Sequence, residues 1–231
     1  MVSILSAIAA LLLQACGKAY GDYFPLGDNG RWHYAITVTT TKGTNTGRMI
    51  VASLPDRDWN GRRVYVNHLN DGTLYLYSED KDGIRRVGVK RAMNQAVIAD
   101  PENHLVLPFP IEAGKIWVQT TTTGVLETIV TASGHPFSLN LPVELTYRIE
   151  STNDEVQVPA GVFTGCARVH GVGITRYQGD NLILTSYVTV DHIDWYAPGV
   201  GLIKSQRVET TTSGVIPRGD YLLELQSYER S

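Results

Sequence analysis

R-V-Y-V-N-H-L-N-D-G-T-L-Y-L-Y-S-E-D-K-D-G-I-R-R-V-G-V-K, residues 63–90, decides the fold class. Val64, Val66 and His68 alternate with Tyr65, Asn67 and Leu69 before Asn70-Asp71-Gly72 turns the chain. Thr73 to Ser78 is a second alternating run, and Lys81-Asp82-Gly83 turns it into I-R-R-V-G-V-K. Successive side chains of a strand point to opposite faces, so alternation reads as a half-buried strand. An Asx-Gly pair between two such runs is a strong hairpin signal, because glycine takes φ > 0 without steric cost. The stretch is therefore a three-strand meander.

The same period continues in both directions. It predicts strands at about 32–41, 46–54, 115–123, 125–132, 143–150, 163–177, 182–195, 201–212 and 220–229. Only Arg91 to Ala99 has helical composition, and Pro101 would stop it. Alternation with one polar face means antiparallel pairing, since parallel sheets are covered on both faces and lose the alternation. The expectation is an all-β domain over residues 24–231: a large twisted antiparallel sheet curled into a half-barrel or a sandwich, with little helix. A chain of 231 residues buries a sizeable core without disulfide or metal staples. With 20 basic and 23 acidic side chains the net charge is −3, which gives no reason to expect a nucleic-acid partner.

One pattern recurs within the chain. Phe24-Pro25-Leu26 leads through Gly30 to Trp32, and Phe109-Pro110-Ile111 leads through Gly114 to Trp117. Each tryptophan opens a strand that ends in threonines, Thr39-Thr40-Thr41 and Thr120 to Thr123, and the strand after Trp195 closes on Thr210-Thr211-Thr212. A tryptophan at a strand start plugs one rim of a sheet, and β-branched, polar threonine suits exposed strand ends. The repetition suggests two related sub-sheets.

The N-terminus carries an address. Ile4 to Leu13 is an apolar run broken only by Ser6, far short of the ~20 residues that span a bilayer but suited to a signal sequence. It ends in Leu13-Gln14-Ala15-Cys16, which resembles the bacterial lipobox. That resemblance implies a signal over 1–15, and a diacylglycerol and an acyl chain such as palmitate on Cys16. It also implies a short polar tether over 16–23. Two or more chains hold a soluble domain at a membrane where one does not. The sequence departs from the usual pattern at Gln14 and in lacking Lys or Arg before the apolar run. An ordinary signal peptide or a buried helix is the rival reading, as is a Cys16–Cys166 disulfide for the cysteine. Gly17, where an aspartate would favour inner-membrane retention, leans the address toward the outer membrane.

Y-F-P-L-G-D-N-G-R-W-H-Y (23–34), F-P-I-E-A-G-K-I-W (109–117), V-P-A-G-V-F (158–163) and W-Y-A-P-G-V-G-L-I-K (195–204) together resemble uncharacterised Gram-negative envelope lipoproteins and periplasmic β proteins. The resemblance implies a LolA/LolB-like curved antiparallel sheet with a concave apolar face. LolA-like members have helices that lid the concavity, whereas this chain has at most one short helix, which argues against a carrier role.

No catalytic fingerprint is present: no G-x-S-x-G, H-E-x-x-H, C-x-x-C, P-loop or dinucleotide motif. Cys166 and His170 would share a strand face but stand ~13 Å apart, too far for a thiolate–imidazole pair, although Arg168 lies between them. His192 and Asp194 share a face ~6.6 Å apart, which suits two ligands of a metal that would need more from elsewhere. His33, His68, His104 and His135 are scattered singly. Asp80-Lys81-Asp82-Gly83 is a fragment of a calcium loop without the remaining oxygens, and turn chemistry explains it better. Arg85, Arg86, Lys90 and Arg91 form a basic cluster that reads as a solvated edge or a contact for anionic lipid. Tyr65, Tyr75, Tyr77, Tyr147, Tyr177 and Tyr187 all lie in strands, where they line a ligand groove or simply pair across strands. No catalytic residue, metal ligand or cofactor is assigned. The expected role is a non-catalytic binding module for an apolar ligand or acyl chain; the alternative is a scaffolding lipoprotein that docks an envelope protein.

Overall fold

A computed structural model describes residues 23–27, 29–91, 95–126, 129–130, 136–137, 140–178, 185–212 and 218–230. The expected signal, Cys16, all of the tether but Tyr23, and His135 lie outside the described residues. The strands are β1 (Arg31–Thr40), β2 (Gly43–Trp59), β3 (Arg62–Leu69), β4 (Leu74–Asp80), β5 (Gly83–Lys90), β6 (Ile98–Pro108) and β7 (Ile116–Thr122). They continue with β8 (Ile129–Val130), β9 (Pro136–Phe137), β10 (Pro142–Val158), β11 (Gly161–Gln178), β12 (Thr185–Ala197), β13 (Gly201–Thr211) and β14 (Arg218–Glu229).

Twelve of these form one antiparallel sheet in the order β6-β5-β4-β3-β2-β1-β14-β13-β12-β11-β10-β7, and β8 and β9 form a separate two-stranded pair among the described residues. The all-β expectation holds, as one continuous sheet rather than a sandwich or two sub-sheets. Its order also settles its shape. Laid flat, twelve strands would span ~50 Å at ~4.8 Å per neighbour. Yet β6 and β7, at opposite edges, are joined by residues 109–115 alone, a link that reaches at most ~30 Å. The sheet must roll until its edges approach. It remains open there: no strand pairing joins β6 to β7 among the described residues, and Leu105 N–H donates to the Gln119 side chain, Oε1, at 3.0 Å.

A barrel of this width leaves a lumen that short side chains cannot fill. The inward positions accordingly carry Trp32 and Tyr34 from β1, Tyr75 and Tyr77 from β4, Tyr147 from β10 and Tyr196 from β12. Phe24 bridges the two walls, with ring centroids 5.0 Å from Tyr77 and 6.4 Å from Tyr196. Three segments cap this end. Tyr23 OH bonds to Gly165 O, Phe109 packs with Tyr77 and Ile84, and the β10–β11 tip folds inward so that Ala160 N–H reaches Leu225 O. Successive register shifts between Ile149 and Val156 bend that tip. The opposite end is plugged by Val125 and Leu126, both buried. A Cβ on Gly219 would strike the Val125 carbonyl, so only glycine admits the plug there.

Three expectations need correcting. Residues 91–99 do not form a helix among those described: Ile98 pairs with Val89 and Ala99 with Gly88 at the edge of the sheet. Sheet pairing outweighs a helix propensity worth only tenths of a kcal/mol per residue. Val125 and Leu126 belong to the plug rather than to a strand over 125–132. Finally, β6 continues through Pro101, which is tolerated because an edge strand need not donate on its outer side. The Asp80 turn is as expected: its Oδ1 accepts from the N–H groups of Asp82 and Gly83, an Asx-type turn.

Candidate functional site

The inner face divides into an apolar cavity near the capped end and a polar network at mid-barrel. The cavity has a volume of about 210 Å³. Trp32 and Tyr34, Met49 and Val51, Leu69, and Tyr75 and Tyr77 supply walls from β1 to β4, with Phe24, Pro25 and Leu202 opposite. Two bonds tie the walls together: Trp32 Nε1–H donates to Val200 O and Tyr34 OH to Leu202 O, each at 2.8 Å. Burial pushes the Tyr34 and Tyr77 phenols far above their ordinary value, so both are neutral hydrogen-bond donors. Asn67 also lines the cavity. Its Oδ1 is buried without a hydrogen-bond partner, as is Oγ of its cross-strand neighbour Ser53.

The six tyrosines named from sequence do not form one stripe. Tyr75 and Tyr77 line the cavity. Tyr65 packs against Gly27, with the Arg63 guanidinium 5.6 Å from its ring centroid. Tyr147 belongs to the mid-barrel network, and Tyr177 packs with Leu126 and Val188. Tyr187 stands on the outer face, 47% exposed. Alternation assigns a residue to a face without saying which face becomes the inner one or how far along the barrel it sits.

At mid-barrel, Tyr147 OH lies 3.1 Å from His192 Nδ1. His192 Nε2 lies 3.1 Å from both Ser205 Oγ and Asp194 Oδ1. Tyr196 OH donates to Asp194 Oδ2 at 3.3 Å. Burial alone would raise the Asp194 pKa. The charge of His192 and hydrogen bonds from His192, Ser205 and Tyr196 outweigh it and hold the carboxylate below its ordinary value. The shared face of His192 and Asp194 is thus confirmed, and the two stand as a close ion pair within a network that includes Tyr147, Ser205 and Tyr196; no group of three or more metal-ligating side chains is assembled among the described residues. Nor is it a nucleophile relay. Such a relay places the hydroxyl and the acid on opposite imidazole nitrogens, whereas Ser205 and Asp194 share Nε2. On Nδ1 stands Tyr147, whose phenol burial and the Asp194 charge push well up.

The remaining candidates fall to structural roles. Cys166 is fully buried among Val156, Val158 and Leu225, its pKa pushed up to about 11 by burial and by Asp154. His170, expected on the same face, lies instead on the outer surface between Glu150 and Asp191, at 2.8 and 3.3 Å. The inward bend of the β10–β11 tip separates the two. The basic cluster is split as well: Arg86 pairs with Asp100 at 2.7 Å, and Arg85 with Asp80 at 3.5 Å.

Sequence reasoning missed Glu209. It is fully buried, and its carboxylate accepts from the N–H groups of Gly124, Val125 and Leu126 at 3.0–3.3 Å and from Arg207 Nε at 2.7 Å. This anchor fastens the plug to β13. Its only trace in sequence is a carboxylate in an otherwise regular strand, which long-range contact alone explains.

No protein-family model matches the chain, and no curated protein matches it significantly. Solved structures with similarity include a protein of Bacteroides fragilis described as exported, with a YmcC-like fold. It shares 13% identity over 90% of this chain and 99% of its own, with a TM-score of 0.40. A protein of Parabacteroides distasonis described as a lipoprotein shares 14% identity over 90% and 98%, TM-score 0.39. A domain from Vibrio parahaemolyticus described as an outer membrane lipoprotein-sorting protein shares 8% over 87% and 85%, TM-score 0.31. Likeness at this level assigns no function.

Proposed function

We propose that the protein is a lipid-anchored binding module of the bacterial envelope, without a catalytic step of its own. On this reading Cys16 carries a diacylglycerol and an acyl chain and holds the barrel at a membrane, the outer membrane by preference. The barrel takes an apolar group into the cavity between Trp32, Met49 and Tyr75. The observation that carries the reading is that cavity. At about 210 Å³ it exceeds the ~150 Å³ that admits benzene into an apolar protein interior. It falls short of the ~300 Å³ at which pockets for whole drug-sized ligands begin. The site therefore suits a ring or the last segment of an acyl chain, with the rest of the ligand left outside.

The test uses the chain's own reporter, since Trp32 is a wall of the site. Octanoate titrated against the protein should change tryptophan fluorescence saturably, acetate should not, and Met49→Trp, which fills the space, should remove the response. A flat octanoate titration, or a response that Met49→Trp leaves intact, would count against the cavity. Intact mass of the membrane-extracted protein tests the anchor separately: the diacylglycerol and acyl mass should vanish in Cys16→Ser.

A second reading, docking of an envelope protein, has one observation in its favour: aliphatic side chains stand exposed on the outer face of β7 and β11.

A further inference from the structure

On the cavity reading above, we infer that the group taken into the cavity carries a neutral hydroxyl, and that Asn67 recognises it. Trp32 Nε1–H and Tyr34 OH also line this space, but they are already committed to Val200 O and Leu202 O, each at 2.8 Å. Asn67 is not committed: its Oδ1 is buried without a hydrogen-bond partner. In the register Asn67 stands between Ser53 of β2 and Tyr75 of β4. Ser53 Oγ is buried without a partner too. Val51 and Leu69 pair two residues further along the same strands and both line the cavity, so Ser53 and Asn67 share its face. Buried polar groups are nearly always bonded within a fold, and leaving them unpaired costs stability. Two such oxygens side by side at an apolar cavity point to a ligand that completes them.

The lining narrows the chemistry of that ligand. No charged side chain lines the cavity among the described residues, so a carboxylate, phosphate or ammonium drawn inside would stay uncompensated. The group that enters is therefore neutral. An amide offers an acceptor and two donors, and a hydroxyl both donates and accepts, so a hydroxyl answers Asn67 whichever way its amide is turned. A purely apolar group strips solvent from the amide and returns nothing, whereas a hydroxyl replaces the lost bonds. A site of this kind selects against the analogue that lacks the hydroxyl. At about 210 Å³ the space takes a ring with one such substituent or the hydroxylated end of a chain. The ligand class is an alcohol or phenol with an apolar body.

Calorimetric titration with phenol and with toluene tests this, since the two differ by a hydroxyl in place of a methyl. They also differ in transfer from water, so the readout is the change in their affinity ratio between variants. Asn67→Leu, close to asparagine in size, should shift the ratio about tenfold toward toluene, the worth of one hydrogen bond. Asn67→Ala carries the same test should leucine not be accommodated, and toluene binding by either variant shows that the folded cavity is kept. Met49→Trp should remove binding of both ligands. An unchanged ratio in the Asn67 variants, with both ligands still bound, would overturn the inference and leave the cavity reading standing. Binding of neither ligand by the unaltered protein, or binding that survives Met49→Trp, would overturn both.

Discussion

The chain meets itself at two seams, and both follow the same local sequence. F-P-L-G-D-N-G-R-W leads into β1, which pairs with β14 from Arg31↔Glu229 to Thr40↔Gly219. F-P-I-E-A-G-K-I-W leads into β7, which faces β6 without strand pairing among the described residues, the Gln119 side chain reaching Leu105 N–H. Trp32 is buried with its N–H on Val200 O, whereas Trp117 stacks on Tyr147 at 5.4 Å with a buried N–H that has no partner. The entry motif thus places a tryptophan on the inner face in both cases but does not close a sheet. Closure depends on the partner strand. β14 pairs with the whole of β1 despite one register shift between His33 and Tyr34, with Leu223 and Leu225 fully buried beside Trp32 and Tyr34. β6 carries a proline and two register shifts, and it stops short of pairing. One seam became the core and the other stayed an edge.

The largest expected effect concerns the plug that crosses the barrel end from β7 to β13. Glu209→Ala leaves three backbone N–H groups and Arg207 without their buried acceptor. It should cost about 3–5 kcal/mol of unfolding free energy in urea melts. A loss below 1 kcal/mol would mean that the plug is not held through Glu209. Next, the two seams should differ in tolerance. Leu225→Ala should cost about 2–5 kcal/mol as a core deletion, and Val118→Ala, half-exposed at the open seam, within about 0.5 kcal/mol. Comparable costs for the two would erase the distinction.

A smaller effect separates the inner wall near the open seam from the outer surface. Burial, with the Arg86 charge adding to it, pushes His104 down to about 4. Its folded-state pKa lies below the ordinary ~6.5, so the unfolded chain binds more protons between these values. Stability should be full above about pH 6.5 and fall as the pH drops toward 4, by up to about 3 kcal/mol, and His104→Leu should flatten that fall. His170 on the outer face has the opposite sign. Burial lowers its pKa, but the Glu150 hydrogen bond and the Asp191 charge outweigh that and raise it. Its contribution is present at low pH and lost as the pH rises through its folded-state value. Urea midpoints of His104→Leu and His170→Leu across pH check both signs.

The parts of this architecture that were legible in sequence are the local ones. The 63–90 meander, the Asp80 turn and the shared face of His192 and Asp194 follow from alternation and turn chemistry over a few residues. What was not legible depends on distant partners. Residues 98–108 became a strand because β5 offered an edge, against local composition. Cys166 left the face of His170 because register shifts bent the β10–β11 tip over the barrel. The cavity arises where Trp32, Met49 and Tyr75, from three strands, meet Phe24 and Leu202, and no spacing within one strand announces it. Glu209 found its acceptor role only once the segment after β7 had crossed the lumen.

Hydrogen exchange of the backbone amides tests the open seam most directly. β1 and β14 should be protected throughout their paired residues. In β7, alternate amides that bond to β10 should be protected, while those facing β6 exchange orders of magnitude faster. Uniform protection of β7, equal to that of β1 and β14, would show a closed barrel and contradict the account.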